Sequence, residues 1–227
     1  MLNMSERSID KEAIKIGNIL LLLAIFSTIF LIPLFPIELH STIHGILITV
    51  IFLMTVIALG KDRKMILYIV IFLIAIEWIS ASLELLYLTG FSRLAIIFFF
   101  TFVVFRLIFQ AARSRDVNLN VVLESINGYL LLGIVFSIMV KIFALFSPDA
   151  YNFTAGAELD SVKLQSMSEF YYYGFVTYTT LGYGDILPQH PQAKSLAILI
   201  SICGQIYVAV IIAMLVGKYA SRDQSKS

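Results

Sequence analysis

Charged residues are scarce in this chain, at 14% of its 227 residues, whereas 59% are hydrophobic. A soluble globular domain is about half apolar and a quarter charged, so this composition lies outside that class. The apolar residues form several runs of about 18 residues or more, the length of a membrane-spanning helix. The sequence therefore predicts an integral membrane protein.

Cysteine is rarer still, with Cys203 as its one example. A single thiol excludes an internal disulfide framework and a cysteine-based metal cluster. The net charge of +1, without a basic tract, gives no support to nucleic-acid binding.

Six apolar segments are long enough to be membrane spans. They are predicted at residues 13–34, 43–59, 65–88, 94–109, 130–146 and 193–216. Lys and Arg concentrate in the connections after the second and fourth segments and after the sixth. Because basic loops stay in the cytoplasm, we expect a multi-pass protein of the cell membrane with both termini cytoplasmic.

The connection between the fifth and sixth segments, residues 147–192, is the longest in the chain. Its first part is polar, and residues 167–180 are aromatic and apolar but too short to cross a bilayer. Non-helical backbone at membrane depth has to be covered by protein or line a watery cavity. The pattern predicts a re-entrant helix enclosed by several copies of the chain.

The re-entrant segment ends in Thr180-Leu181-Gly182-Tyr183-Gly184, followed by Asp185. Glycine tolerates backbone conformations that other residues avoid, and here two glycines bracket Tyr183. A column of backbone carbonyls can replace the water around a potassium ion, as the Thr-Val-Gly-Tyr-Gly loops of potassium channels do.

Residues 170–185 resemble the pore helix and selectivity filter of the potassium channel superfamily, and the four preceding spans resemble the voltage-gated plan. The resemblance implies that Thr180, Leu181, Gly182 and Tyr183 bind K⁺ through inward carbonyls and that Gly184 completes the filter. It also implies a homotetramer in the lipid bilayer, since each chain holds one filter. We expect neither enzyme activity nor a cofactor.

The predicted fold is that of an all-α membrane protein with six transmembrane helices, a re-entrant pore helix with its selectivity filter, and a tetrameric pore. Residues 1–12 are predicted to be a cytoplasmic segment, 13–120 a peripheral four-helix domain, 121–217 the pore domain and 218–227 a short cytoplasmic tail. Such a tail is too short for a regulatory domain, so gating is expected to lie in the membrane unless a separate regulatory subunit contributes.

Around the filter, Tyr172 and Tyr173 stand at two positions that tryptophan often fills in relatives. Both are expected to pack as an aromatic support, with the Tyr172 hydroxyl within reach of Asp185. Val176 stands where some relatives carry a glutamate behind the filter, and Leu181 stands where valine is commoner.

In the sixth segment, Gly204 follows the filter at the spacing at which relatives carry a hinge glycine. A hinge and close helix packing explain it equally well. Gln205 and Val208 are candidates for lining a cavity below the filter, and His190 is expected to be a solvated or pairing group near the outer mouth.

The fourth segment lacks the regular basic residues of a voltage sensor, because Arg93, Arg106 and Arg113 are widely spaced. Intramembrane ionisable residues are functional candidates by default, here Glu77, Glu84 and Arg106. A structural Glu77–Arg106 pair is the preferred interpretation, so only weak voltage dependence is expected.

Two other functions stay open on the sequence. A subunit of a potassium uptake transporter would share the pore unit, although such proteins place four repeats with a single filter glycine in one chain. A membrane sensor with a silent pore is the second alternative.

Overall fold

The computed structural model describes residues 4–60, 63–83, 86–114, 117–153 and 166–224. These residues form seven α-helices and no named β-strand. The helices are α1 Met4–Phe30, α2 His40–Leu59, α3 Arg63–Leu83, α4 Leu86–Arg113, α5 Leu119–Phe146, α6 Met167–Tyr178 and α7 Pro191–Gln224. The predicted all-α class is confirmed for this part of the chain, and Glu84 lies outside it.

Five helical stretches of the described chain are long and apolar enough to cross a membrane. They are Glu12–Phe30, Ile37–Leu59, Gly90–Arg113, Leu119–Phe146 and Pro191–Ala220. The protein is therefore a multi-pass membrane protein. Because α3 is not among these five, the sixth span stays a prediction.

The boundary between the third and fourth segments differs from the sequence prediction. Thr89 and Gly90 were expected to separate two spans, yet both lie inside α4, which begins at Leu86. A glycine lowers helix stability by only about 1 kcal/mol, which tertiary packing readily offsets. A Cβ added to Gly90 would lie 3.4 Å from the Phe146 ring, so α4 passes close to the end of α5 here.

Helices α1 and α4 pack against α5, and α2 contacts α6. Asn118 caps α5 by accepting a 3.1 Å hydrogen bond from Val121 N, and only a short connection separates this cap from the end of α4. A buried polar contact joins α1 to α5, because Asn127 Nδ2 donates a 2.9 Å hydrogen bond to the Asn18 carbonyl. The short connection and this contact hold the peripheral helices beside α5.

The predicted pairing of Glu77 with Arg106 is wrong, because the partner of Glu77 is Arg93. Arg93 Nη2 lies 3.7 Å from Glu77 Oε1, and Ser92 Oγ donates a 2.7 Å hydrogen bond to Glu77 Oε2. Arg106 lies nearly four turns further along α4, about 20 Å away by the helical rise. The sequence prediction placed Arg93 at the edge of the span, whereas the earlier start of α4 brings it inside the helix bundle.

Candidate functional site

The short helix α6 carries the candidate site, and its length prevents it from crossing a bilayer. Its 12 residues span about 18 Å, less than the ~30 Å hydrocarbon core. It packs tightly on α5, because a Cβ added to Gly174 would overlap Ser137. This close contact fixes where the chain leaves α6 after Tyr178.

The backbone after α6 alternates in handedness. Thr180, Gly182 and Gly184 have φ of 59°, 57° and 80°. Positive φ thus recurs at every second residue, a pattern found nowhere else in the described chain. Thr180 is the one non-glycine residue with positive φ in the described chain. For a β-branched residue this conformation is an outlier, and such strain persists only where the surroundings enforce it.

Backbone hydrogen bonds from the last turn of α6 enforce this conformation. The Val176 carbonyl accepts hydrogen bonds from Leu181 N at 3.0 Å and Gly182 N at 3.2 Å, and the Thr177 carbonyl accepts one from Thr180 N at 3.0 Å. Val176 was singled out for its side chain, but it is its carbonyl that contacts the site. Sequence reasoning gives no signal for a main-chain role of this kind.

The loop after α6 is exposed to the surroundings in a single chain. Leu181 and Tyr183 are 56% and 67% exposed. A Cβ added to Gly182 or Gly184 would meet no atom within 4 Å. Every predicted filter residue, from Thr180 to Gly184, therefore lies at the surface of one chain.

The hydrogen bond expected between Tyr172 and Asp185 is present. The Tyr172 hydroxyl donates to Asp185 Oδ2 at 2.5 Å, and Ile186 N donates to Asp185 Oδ1 at 3.0 Å. The hydrogen bond from Tyr172 holds the pKa of Asp185 below its ordinary value of 3.8. Asp185 is thus ionised at neutral pH and tethers the loop to α6.

Tyr172 and Tyr173 lie on different faces of α6, and their packing as an aromatic support of the filter stays a prediction. Tyr172 is 39% exposed, whereas Tyr173 is buried. The Tyr173 ring packs edge-on at 5.1 Å from the Tyr151 ring, in the segment that follows α5. Successive helical positions point about 100° apart, so neighbouring residues rarely share a face.

Tyr171 was not predicted to have a role, yet it joins α6 to the peripheral helices. Its buried hydroxyl lies 2.8 Å from His44 Nε2 on α2. One turn away, His40 Nδ1 lies 2.9 Å from Ser166 Oγ, the residue that caps α6. The sequence showed histidines in a loop before the second span, but nothing in it indicated their partners.

Helix α7 supports the loop from the other side. Gln205 Nε2 donates a 3.0 Å hydrogen bond to Thr180 Oγ1, whereas the predicted role of Gln205 in lining a cavity below the filter stays a prediction. Ser201 Oγ, which sequence reasoning missed, lies 3.2 Å from the Thr177 carbonyl. Val208 lies one turn further along α7 and is 38% exposed.

Close packing, one of the two explanations for Gly204, is what the structure shows. A Cβ added there would overlap the carbonyl oxygen of Tyr178, at the end of α6. Helix α7 runs without interruption from Pro191 to Gln224. Gly204 therefore lets the inner helix approach α6 closely.

The outer end of the site is closed by contacts with the segment after α5. Gln189 N donates to the Ala150 carbonyl at 2.8 Å, and Asn152 N donates to the Leu187 carbonyl at 3.2 Å. His190 Nε2 lies 3.1 Å from Asp149 Oδ2. His190 is thus a pairing group, one of the two roles expected for it.

Residues 138–220 match the family model of an ion channel. This part of the chain is similar to an ion channel domain. The matched stretch begins in α5, includes α6 and the loop with alternating handedness, and ends in α7. No solved structure matches the chain.

Replacing Gly204 with alanine tests the packing explanation. We expect Gly204→Ala to lower the stability of the channel domain by about 1–3 kcal/mol, because the added methyl overpacks a tight contact. Gly217→Ala in the same helix is the matched control, since a Cβ there meets no atom within 4 Å. Thermal unfolding in detergent measures both, and equal stability of the two variants would contradict the packing role.

Removing the Tyr172 hydroxyl tests the tether to Asp185. A depressed pKa means that this tether is present at neutral pH and is lost as pH falls through the lowered pKa of Asp185. In Tyr172→Phe the Asp185 pKa returns toward its ordinary value, so protonation weakens the remaining hydrogen bond from Ile186 N at higher pH. Acid inhibition of ion flux should therefore begin at higher pH. Flux from liposomes across acidic pH measures this. The same pH profile in wild type and variant would show that the tether does not support the filter.

Proposed function

We propose that the protein is a potassium-selective channel that passes K⁺ down its electrochemical gradient. The observation that carries this proposal is the alternation of positive φ at Thr180, Gly182 and Gly184. Alternating handedness lets successive carbonyls turn toward one side of the chain, where they can take the place of water around an ion. Carbonyls of Thr180, Leu181, Gly182 and Tyr183 would bind the ion.

The threonine hydroxyl at the inner end of this column supports the same function. Thr180 Oγ1 accepts a hydrogen bond from Gln205, and one lone pair of the hydroxyl stays available. Both side chains are exposed on the open face of the chain. An ion arriving from the inner side would meet this pair before it enters the carbonyl column.

The pore is proposed to be a homotetramer. One chain presents its filter on an open surface and encloses no path. Leu181 and Tyr183 carry large side chains that are exposed in a single chain. Helix α7 also exposes Ile198, Ile202 and Ile206 along one face. Lipid can cover the isoleucines of a spanning helix, whereas neighbouring copies would cover the loop from Thr180 to Gly184 and complete the ring of carbonyls around an ion.

Six spans with both termini cytoplasmic complete the proposal. Helix α3 has 21 residues, which span about 31 Å, close to the thickness of the hydrocarbon core. An even number of spans puts both ends of the chain on one side. The basic residues of the connections favour the cytoplasm for that side.

Selectivity is the direct test of the filter. We expect K⁺ to pass well in preference to Na⁺ in liposomes that contain the purified protein. Gly182→Ala should abolish flux, because φ of 57° at this position is strained for any residue with a Cβ. Gly217→Ala, outside the filter, should conduct normally. Comparable Na⁺ and K⁺ permeability, or normal flux through Gly182→Ala, would contradict the assignment.

Assembly is tested by the mass of the conducting species. We expect cross-linking and mass measurement in mild detergent to give four chains per particle, because carbonyls from one chain cannot surround an ion. A stable dimer or trimer that conducts K⁺ would exclude the tetrameric pore.

Voltage dependence should be weak. Moving one charge through 100 mV is worth about 2.3 kcal/mol, and steep gating uses about 3–4 charges per subunit. Arg93 is held by Glu77, and Arg106 and Arg113 are the other two arginines of α4, with Arg113 at its end. Conductance against voltage in symmetrical K⁺, without blocking cations, should vary gradually. A steep sigmoid that Arg106→Gln flattens would show that α4 is a voltage sensor.

A further inference from the structure

A polar cavity lies between the peripheral helices and the pore domain. Its volume is 220 Å³. It sits near the start of α2, the end of α3, the start of α4 and the end of α5, beside the first residue of α6. The lining includes Thr42, Glu77, Trp78, Arg93 and Lys141. None of these residues belongs to the filter.

Arg93 is the residue that makes this cavity a candidate binding site. Its side chain is 12% exposed, and its Nε and Nη1 atoms are buried without a hydrogen-bond partner among the described residues. Nη2 lies 3.7 Å from Glu77 Oε1. A buried donor without an acceptor is unfavourable, and more so when the group is charged. The open donors of Arg93 therefore call for an oxygen ligand in the cavity.

The guanidinium of Arg93 favours an anion as the source of that oxygen. It keeps its charge when buried, and it lines the cavity with donors that have no described partner. The Glu77 carboxylate is already bonded on both oxygens, to Arg93 and Ser92. A guanidinium with donors on adjacent nitrogens matches the geometry of an oxyanion such as phosphate.

The position of the cavity matches the depth at which a bilayer presents phosphate. Trp78 lines the cavity and is 42% exposed. Tryptophan concentrates at the level of the lipid headgroups. His44, which also lines the cavity, contacts Tyr171 of α6, so a ligand here would touch the support of the pore helix.

We propose that this cavity binds a phosphate group through Arg93, borne either by inorganic phosphate or by the headgroup of an anionic lipid. Arg93 Nε and Nη1 donate to the phosphate oxygens, and the Thr42 hydroxyl adds a neutral donor. This site is independent of the proposed permeation path and is tested without measuring flux.

The test uses the full chain purified in a maltoside detergent, which carries no phosphate. Thermal unfolding is followed during titration with inorganic phosphate against chloride, at constant pH and ionic strength. A second titration uses phosphatidylglycerol, with a diacylglycerol of the same chains as its phosphate-free control. A ligand that binds the folded state raises the unfolding temperature saturably.

We expect saturable stabilisation in wild type, and a half-maximal concentration at least about tenfold higher in Arg93→Lys, since lysine keeps the charge but lacks the paired donors. Arg113→Lys is the matched control, because Arg113 is exposed at the end of α4 and lies over the Phe109 ring. It should respond as wild type does. Thr42→Val should weaken the response severalfold without changing any charge.

The outcomes separate the two sources of phosphate. Stabilisation by inorganic phosphate assigns the site to the free ion, and stabilisation by phosphatidylglycerol but not diacylglycerol assigns it to a headgroup. The proposal is overturned if neither ligand stabilises the protein, or if Arg113→Lys weakens the response as much as Arg93→Lys. It is also overturned if the response is unchanged in Arg93→Lys or, should that variant not fold, in Thr42→Val. The cavity then holds water.

Discussion

The strained backbone at Thr180 is the constraint on which the packing of α6 and α7 around it depends. A β-branched residue with φ of 59° is held there by contacts from three directions. The last turn of α6 supplies carbonyl acceptors, α7 supplies Gln205, and the Tyr172–Asp185 hydrogen bond fixes the outer end. Because strain of this kind costs about 1–3 kcal/mol, the loop keeps its shape only while these three sets of contacts, the supporting frame of the loop, stay in place.

The frame itself depends on close helix contacts. Gly204 brings α7 against the end of α6, and Gly174 brings α6 against α5. The peripheral helices add a second layer of support, since His44 reaches Tyr171 and His40 reaches Ser166. Helix α6 is therefore anchored at its start by α2 and at its end by α7.

Charged groups in the apolar bundle are accommodated by specific partners. Glu77 is bonded to Arg93 and Ser92. At the opposite end of α4, Lys218 of α7 donates hydrogen bonds to the carbonyls of Ala111 and Ser114. A lysine at a helix C-terminus satisfies carbonyls that lack a helical partner and complements the helix dipole. This contact joins α7 to the end of α4.

The sequence by itself, through its hydrophobic runs and one short motif, determined the membrane helices and the unusual backbone of the loop after α6. The long apolar segments required helices in a membrane, and Gly182 and Gly184 indicated the unusual backbone, since both signals arise from local chemistry. Tertiary structure alone decided the partner of Glu77, the different exposures of Tyr172 and Tyr173, and the start of α4 before Gly90. These features depend on which helices pack together, and residues such as His44 and Tyr171 are too far apart in the chain for local patterns to pair them.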